Sequence, residues 1–219
     1  MRFSIVVATD VNGGIGLNDD DNYSIPWKCD IDMKFFKDIT SNTEDENKQN
    51  AIIMGRNTYM SLPCKNNSRC LKNRCNIVIT SKSELLKDDD NVVSMSTFEN
   101  ALTYCKNEKS IENIFVIGGS QLYKEALYNP NLDNVYWNII MSAKENECNI
   151  FFPIDIKNID QICEKDNNYD MIKLNSSKLQ FNKFTSKLVN NDELQYLKLL
   201  DDILNNGNER QTRNSITKS

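Results

Sequence analysis

Residues 25–37 read Ile25-Pro-Trp-Lys-Cys-Asp-Ile-Asp-Met-Lys-Phe-Phe-Lys37, a Pro-Trp turn that leads into a predicted helix at 31–39. The helix places Asp32 on one face with Phe36, because residues four apart lie on the same side of an α-helix. Burial raises the pKa of a carboxyl group, whereas a position in the first helical turn lowers it. The balance can leave an acid that titrates near neutral pH and hydrogen-bonds a planar, nitrogen-rich ring. The alternative is a first-turn acid that complements the helix dipole, with Asp30 as the N-cap.

The bulk composition narrows the class of protein. The chain has 219 residues, a formal net charge of −5 and no histidine. We expect neither nucleic acid nor a membrane as a partner, because the chain is acidic and no apolar run approaches the roughly 20 residues of a membrane span. Without histidine, Ser-His-Asp and Cys-His catalysis and histidine-ligated metals are excluded, and we expect no metal site. The seven cysteines include no Cys-x-x-Cys pair, which favours reduced thiols in a cytoplasmic protein.

Short β-branched or aromatic runs alternate with helical stretches along most of the chain. This pattern predicts an α/β fold with a central, mostly parallel, mixed β-sheet flanked by helices, and ligands at the carboxyl ends of the strands. Two late runs, 171–174 and 179–188, alternate with period two and predict a closing antiparallel pair. Residues 18–24 and 40–50 are predicted loops. The predicted strands are 5–8, 51–54, 76–80, 91–95, 114–117 and 135–141, and the predicted helices are 31–39, 98–107 and 119–127, with a short helical turn at 57–62.

Two glycine turns follow predicted strands and could accept anionic ligands. The first is Met54-Gly-Arg-Asn-Thr-Tyr-Met-Ser-Leu-Pro63, where free N–H groups at a helix start and the charge of Arg56 favour a phosphate. The second is Ile117-Gly-Gly-Ser-Gln-Leu-Tyr123, whose adjacent glycines allow the backbone to approach a pyrophosphate closely. The alternatives are a surface turn with a solvated arginine and a tight turn without a ligand. The second block lacks Gly-x-Gly-x-x-Gly spacing, so a conventional Rossmann domain fits less well.

The blocks 25–37, 54–63 and 117–123, in this order, resemble the dihydrofolate reductase family. The resemblance implies that family's three-layer fold, NADPH as cofactor, 7,8-dihydrofolate as substrate and inhibition by antifolates. It implies that Asp32 binds the pterin and promotes protonation at N5, while Trp27 positions the pterin through a water. The third residue of this catalytic set is Asn138, where the family normally has threonine linking the acid to the pterin. An asparagine side chain also donates and accepts hydrogen bonds.

The same resemblance implies further contacts. Substrate contacts are implied at Val6, Val7, Met33, Phe36, Lys37, Ser61, Leu62, Arg74 and Ile117. Cofactor contacts are implied at Ala8, Ile15, Gly16, Gly55, Arg56, Asn57, Thr58, Thr80, Ser81, Lys82, Ile117, Gly118, Gly119, Ser120, Gln121, Leu122 and Tyr123. The segment Thr80-Ser81-Lys82 would hold the 2′-phosphate of NADP, and Arg74 would pair with the glutamate carboxylate of folate. The alternatives are a polar strand end and a solvated surface arginine.

The character of the chain changes near residue 190. Residues 193–204 predict an amphipathic helix. The segment from there to Arg213 resembles the first helix and following loop of thymidylate synthase, in which Arg213 would grip a nucleotide phosphate beside Arg210. We therefore expect a reductase domain at 1–189 and, at 190–219, a linker with a truncated first segment of a fused synthase. We expect no synthase activity, and a homodimer only with a full synthase domain. The alternative is a solvated C-terminal helix.

Two other functions compete with this expectation. A pyrimidine reductase of riboflavin synthesis shares the architecture, but its substrate carries a ribosyl phosphate, so inhibition by methotrexate-like antifolates would exclude it. A non-catalytic scaffold that presents the synthase-like tail would fold but would show no NADPH-dependent turnover.

Overall fold

A computed structural model describes residues 1–20, 22–64, 68–82, 92–143, 147–171, 175–187, 209–211 and 216–218. The helices are α1 Asp30–Ser41, α2 Arg56–Ser61, α3 Phe98–Asn107 and α4 Ser120–Leu127, with a 3-10 helix at Ile156–Gln161. The strands are β1 Phe3–Thr9, β2 Gly14–Asp19, β3 Asn22–Ser24, β4 Gln49–Gly55, β5 Arg74–Ile79, β6 Val92–Met95, β7 Ile111–Val116, β8 Leu132–Ile140, β9 Ile150–Phe151, β10 Cys163–Lys165, β11 Leu179–Gln180, β12 Lys183–Ser186, β13 Glu209–Gln211 and β14 Ile216–Lys218.

The main sheet has the strand order β10-β12-β8-β1-β7-β4-β5-β6, and β11 also pairs with β8. The strands from β8 through β6 in this order are parallel to their neighbours. The strands β10, β11 and β12 pair antiparallel with theirs. The predicted mixed, mostly parallel sheet is therefore confirmed. Two small sheets stand apart from it, one formed by β3, β2 and β9 and one by β13 and β14.

Both faces of the central strands are covered, which explains their nearly continuous apolar sequences. In β1, Ile5 and Val7 belong to a buried cluster with residues of α3 and α4. The intervening Val6 lies on the other face and packs with Phe35 of α1. On that same face Tyr59 of α2 packs on β4 and β5. Successive side chains of a strand point to opposite faces, so this alternation produces a layer of helices on each side of the sheet.

Residues 18–20 and 22–24 lie in a β-hairpin, so the predicted loop is wrong. Strand β2 pairs antiparallel with β3, with Asn18 opposite Tyr23. Asp20 has a φ of +45°, a left-handed conformation that aspartate tolerates better than most residues and that suits a tight turn. The outer part of the hairpin is largely exposed. Without a buried face, its sequence carries no apolar alternation that would have revealed the strands.

The prediction that residues 179–188 pair with residues 171–174 is also wrong, because the strands in 179–188 pair with other strands. Strand β12 pairs with β8 and with β10, and β11 pairs with β8. Met171 lies in a short 3-10 turn, and residues 172–174 lie outside the described residues. The period-two pattern identified strands with one buried face correctly. It could not identify which distant strand supplies the hydrogen bonds.

Helix α1 begins at Asp30, so the N-cap at this residue, which belonged to the alternative interpretation of Asp32, is wrong. Cys29 occupies the N-cap position with an extended backbone, and its side chain makes no capping hydrogen bond. Asp30 and Asp32 both lie in the first helical turn, where a carboxylate interacts favourably with the helix dipole. The dipole therefore acts on Asp32 whatever residue caps the helix.

Several predictions for the end of the chain lie outside the described residues. These are the helix at 193–204, the domain boundary at 189 and the phosphate contact of Arg213, while Arg210 is described only as part of β13. Among the helices that are described, none is long and apolar enough to cross a membrane. The described ranges also contain no group of three or more cysteine or acidic side chains placed to hold a metal ion.

All seven cysteines are free thiols. Burial raises the pKa of Cys105 to about 12 and the pKa of both Cys148 and Cys163 to about 11. The thiolate is the reactive form, so we expect these three thiols to resist a chromogenic disulfide reagent at about pH 8. The exposed Cys64 should react first. Absorbance titration of native and guanidinium-unfolded protein checks this, and rapid reaction of all seven thiols in the native protein would contradict it.

Candidate active site

The carboxyl ends of β4 and β7 bring the two glycine turns together. These strands are parallel neighbours, so the turns that follow them leave the same edge of the sheet. The Gly55 N–H donates to the Gly118 carbonyl over 2.7 Å. Gly118 and Gly119 are joined by a cis peptide bond. A Cβ atom on Gly119 would lie 3.3 Å from Thr58 Oγ1, so the second turn packs directly on the residues that follow the first.

Gly118 occupies a position that only glycine fits without strain. Its φ is +118°, a conformation that side-chain-bearing residues rarely adopt. A Cβ atom there would lie 3.3 Å from both Thr58 Oγ1 and the Tyr123 ring. The Tyr123 hydroxyl is itself fixed, because it donates to the Val6 carbonyl over 2.9 Å. The turn is thus held between α2 and α4, beside the end of β1.

Two features of this edge suit phosphate groups. No described side chain caps the N-terminus of α4, which follows Gly119, so its first backbone N–H groups are available to an anion. Arg56 begins α2, and its Nε is buried without a hydrogen bond to any described residue. Buried polar groups usually have partners, so an unfilled arginine donor at this position indicates a ligand.

A third strand end lies on the same edge. Strand β5 runs parallel to β4 and is followed by Thr80, whose N–H donates to the Met95 carbonyl over 2.8 Å. Its Oγ1 accepts a hydrogen bond from the Lys82 N–H over 3.0 Å. The side chains of Ser81 and Lys82 are exposed. The structure therefore leaves one hydroxyl and one ammonium group available here, while the Thr80 hydroxyl stabilises the turn.

Asp32 of α1 is hydrogen-bonded to a residue of the central sheet. Asn138 Nδ2 donates to Asp32 Oδ1 over 2.8 Å. Asn138 lies in β8 opposite Ala8 of β1 and is only 1% exposed. Burial raises the pKa of Asp32 above the ordinary value, and the hydrogen bond from Asn138 lowers this pKa by a smaller amount. Asp32 can therefore hold a proton closer to neutral pH than an exposed aspartate does.

Apolar side chains surround this pair. Four predicted site residues pack, partly buried, against the cluster that contains Val6 and Phe35: Ala8, Trp27, Phe36 and Ile117. Met33, on the same helix as Asp32, is 58% exposed, so ordinary core packing does not explain it. Ile117 also packs against the cluster beside α2, which includes Leu62. Burial and then the nearby Asp32 carboxylate raise the pKa of Tyr123, whose ring lies beside Gly118, so the pair lies close to the Gly118 turn.

Several predicted contact residues direct their side chains elsewhere. Val7 and Leu122 pack in the buried cluster on the opposite face of the sheet, so only their backbones could meet a ligand. The Ser61 hydroxyl donates to the Thr58 carbonyl over 2.7 Å. The Ser120 hydroxyl donates to the Phe151 carbonyl over 2.7 Å. Asn57, Gln121 and Lys37 have exposed side chains that are free to turn toward solvent or a ligand.

Arg74 lies at the start of β5, across from α1. It donates from Nη1 to Thr40 Oγ1 over 2.8 Å and from Nε to the Lys72 carbonyl over 3.0 Å. Its Cζ lies 5.9 Å from the centre of the Phe36 ring. Burial lowers the pKa of Arg74, but an arginine stays cationic at any physiological pH. Sequence reasoning did not identify Thr40, although the four-residue spacing from Asp32 through Phe36 leads to it.

Strand β2 carries Ile15 and Gly16 and is tied to the rest of the domain. The Asn18 N–H donates to Asn149 Oδ1, and Asn149 Nδ2 donates to the Asn18 carbonyl, both over 2.8 Å. At the start of the strand, the Gly14 N–H donates to Asp10 Oδ1 over 2.7 Å. Neither Asp10 nor Asn149 stands out in the sequence, because their partners are backbone groups.

Known proteins are similar to this chain in sequence and in fold. The profile of the dihydrofolate reductase family matches residues 2–186. A dihydrofolate reductase of Drosophila melanogaster is 34% identical over 153 residues, which are 70% of this chain and 80% of that protein. The solved structure of Schistosoma mansoni dihydrofolate reductase has a TM-score of 0.67 and 29% identity, covering 85% of this chain and 98% of that one.

Bifunctional proteins are also similar. A bifunctional dihydrofolate reductase-thymidylate synthase of Daucus carota is 39% identical over 160 residues, which are 69% of this chain and 28% of that protein. The chain thus matches little more than a quarter of the length of such a protein. Since the family profile spans almost all of the described core and the solved structure shares its architecture, this chain belongs to the dihydrofolate reductase family.

Proposed function

We propose that this chain catalyses the NADPH-dependent reduction of 7,8-dihydrofolate to 5,6,7,8-tetrahydrofolate, and so supports one-carbon metabolism and thymidylate synthesis. The observation that carries the proposal is the part-buried hydrogen bond between Asp32 and Asn138. Burial and then the nearby Asp32 carboxylate raise the pKa of Tyr123, and the Tyr123 ring lies beside Gly118, so the acid lies close to the edge that suits phosphate groups. Membership of the family supports the reaction class.

The residues at the sheet edge fit NADPH. The unfilled Nε of Arg56 and the uncapped start of α4 would hold the phosphates that join the two nucleosides. Exposed Ser81 and Lys82 would hold the 2′-phosphate. The close packing of Gly118 against Thr58 leaves the backbone, rather than a side chain, to meet the cofactor. When bound, NADPH supplies the hydride, which passes from nicotinamide C4 to pterin C6.

Asp32 would bind the pterin and control its protonation. Its Oδ1 accepts from Asn138, which leaves Oδ2 for the amino and N3 groups of the ring. Burial raises the pKa of Asp32, so this acid holds a proton at a higher pH than an exposed aspartate does, and a water would carry that proton to N5. Phe36 and exposed Met33 would pack on the substrate, and Trp27 would position the ring through a water. The chain's contribution is orientation, exclusion of water and placement of one proton.

The decisive assay is NADPH oxidation followed by absorbance near 340 nm, with dihydrofolate and with or without methotrexate. Rapid oxidation that methotrexate blocks is the expected result. Oxidation that methotrexate does not affect would favour a pyrimidine reductase of the riboflavin type. No oxidation by folded protein that binds NADPH would favour the non-catalytic scaffold.

Arg74→Leu should weaken dihydrofolate binding by about 30-fold, because an aligned guanidinium–carboxylate pair contributes roughly 2 kcal/mol. Thr40 and Lys72 hold the Arg74 side chain in place, so the cation is preorganised for the glutamate carboxylate. Fluorescence titration measures the effect. A small diaminopyrimidine antifolate without a carboxylate is the matched control, and its affinity should change less than about threefold. Equal losses for both ligands would show that Arg74 shapes the pocket rather than reading the carboxylate.

A further inference from the structure

The Asn138 side chain is bonded on one side and unpartnered on the other. Its Nδ2 donates to Asp32 Oδ1 over 2.8 Å, while its own Oδ1 is buried without a hydrogen bond to any described residue. The residue lies within β8, which pairs with β1 along the whole length of β1. A buried amide oxygen without a donor is unfavourable. The orientation of this amide is therefore set by what its nitrogen does at Asp32.

We propose that Asn138 is a positioning residue that keeps Oδ1 of Asp32 as a hydrogen-bond acceptor, so that Oδ2 is the oxygen that takes up and releases the proton. This inference rests on the proposed function, because it assigns a place to the proton that Asp32 is proposed to control. The proton moves between Oδ2 and a water or ring nitrogen. The bond from Asn138 to Oδ1 stays in place throughout.

The asymmetry follows from the chemistry of an amide. The side-chain nitrogen of asparagine carries donors only. If the proton of Asp32 were on Oδ1, its O–H would face the N–H of Asn138 and the hydrogen bond would be lost. Rotating the amide by half a turn would let its oxygen accept this proton. That rotation would place two N–H groups in the buried position that now holds one oxygen.

A hydroxyl group at position 138 would not impose this asymmetry. The hydroxyl of threonine or serine donates and accepts, and it rotates to suit its partner. It could therefore donate to an ionised Asp32 and accept from Asp32 protonated on Oδ1. Asn138→Thr thus keeps a hydrogen bond but removes the donor-only restriction. Asn138→Leu removes the hydrogen bond while keeping a side chain of similar size.

Among the described residues, Asn138 is the side chain that hydrogen-bonds Asp32. Burial and the Asn138 hydrogen bond are the two causes that set the pKa of Asp32. From α4, the Tyr123 hydroxyl donates to the Val6 carbonyl, and burial raises its pKa so that it stays neutral. From β8, burial also raises the pKa of Tyr136. The titratable side chains of the turn before α1 and of α1, apart from Asp32 itself, are Lys28, Cys29, Asp30, Lys34, Lys37 and Asp38. The remaining ones on α4 and β8 are Lys124, Glu125 and Asp133, and Arg74 lies across from α1.

Side-chain amide NMR of the full chain tests the placement of the proton independently of turnover. The Asn138 amide signals are assigned by their loss in Asn138→Thr and followed as the pH rises from the ordinary aspartate value of 3.8 through the raised pKa of Asp32. We expect the bonded amide proton to keep its downfield position while Asp32 titrates. A shift to the position of an unbonded amide, at the midpoint of that titration, would overturn the proposal.

The pH dependence of kcat/KM for dihydrofolate gives the second test. Activity requires the protonated acid, so it falls as the pH rises through the pKa of Asp32. The midpoint should move up by about half a pH unit in Asn138→Thr, where the neutral acid gains a second arrangement, and by about one unit in Asn138→Leu. Wild-type and threonine profiles that coincide, or a downward shift in the leucine variant, would overturn it.

The two tests separate this proposal from the proposed function. NADPH affinity within about twofold of wild type shows that each variant is folded at the site. Absence of dihydrofolate turnover in the wild type would contradict the proposed function. The NMR titration of the wild-type chain would still decide whether Asn138 keeps Oδ1 of Asp32 as a hydrogen-bond acceptor.

Discussion

Asp32→Asn should lower kcat for dihydrofolate at neutral pH by about 100- to 1,000-fold, the usual contribution of a positioned acid. The amide has the same shape as the acid but does not ionise, so it cannot donate a proton to the substrate. NADPH contacts lie at the sheet edge, so cofactor affinity should stay within about twofold. Stopped-flow measurement of NADPH oxidation and fluorescence titration of NADPH give the two quantities.

The defect should shrink as the solution becomes more acidic. The wild type uses Asp32 to hold a proton, whereas the variant depends on protons from solution, so its rate should rise about tenfold for each unit that the pH falls. Asp30→Asn is the matched control, because Asp30 occupies the same first turn of α1 but is exposed. Near-wild-type turnover in Asp32→Asn, or an equal loss in Asp30→Asn, would refute the assignment.

Asp32→Asn should also change the pH dependence of the protein's stability. Because the pKa of Asp32 is raised in the folded chain, the folded state binds this proton more tightly than the unfolded chain does. Stability is therefore lost as the pH rises from the ordinary value of 3.8 through the raised pKa. Asparagine carries no charge at any pH, so the variant should be the more stable protein at neutral pH. Thermal unfolding should show this advantage at neutral pH and its disappearance below the ordinary pKa.

The sequence predicted those parts of the fold whose signal is local. Helix α3 spans Phe98–Asn107, as predicted, because Thr97 caps it by accepting from the Asn100 N–H. The central strands were found because burial on both faces makes them apolar throughout. The second glycine turn was found because the φ of +118° at Gly118 demands glycine. In each case a few adjacent residues contain the whole cause.

Apart from the exposed hairpin of β2 and β3, the features that sequence reasoning missed depend on distant partners. The hydrogen bonds of β12 come from β8 and β10, and no local pattern selects between candidate neighbours. Asn149 acts through the backbone of Asn18, 131 residues away in the chain. Asn138 was identified as a departure from the family pattern. Only the structure shows that its nitrogen, not its oxygen, meets Asp32.

Gly118→Ala should weaken NADPH binding by about 100-fold and destabilise the fold by roughly 2 kcal/mol, because it combines backbone strain with a steric conflict. The φ of +118° is unfavourable for alanine, and the new Cβ atom would lie 3.3 Å from Thr58 Oγ1 and from the Tyr123 ring. Tyr123 cannot retreat freely, since its hydroxyl is bonded to the Val6 carbonyl. The turn must therefore move, and the hydrogen bond from Gly55 moves with it.

Gly13→Ala is the control variant that distinguishes the effect of backbone strain alone from the effect of displacing the Gly118 turn. Gly13 also has a positive φ, +82°, but a Cβ atom there would meet nothing within 4 Å. The Gly13→Ala substitution should lower the free energy of unfolding by about 1 kcal/mol and leave NADPH affinity within about threefold. If Gly118→Ala bound NADPH normally despite a lower melting temperature, the turn would not be part of the cofactor site. If both variants lost NADPH affinity equally, general backbone strain would explain the loss, and the packing of Gly118 between α2 and α4 would not.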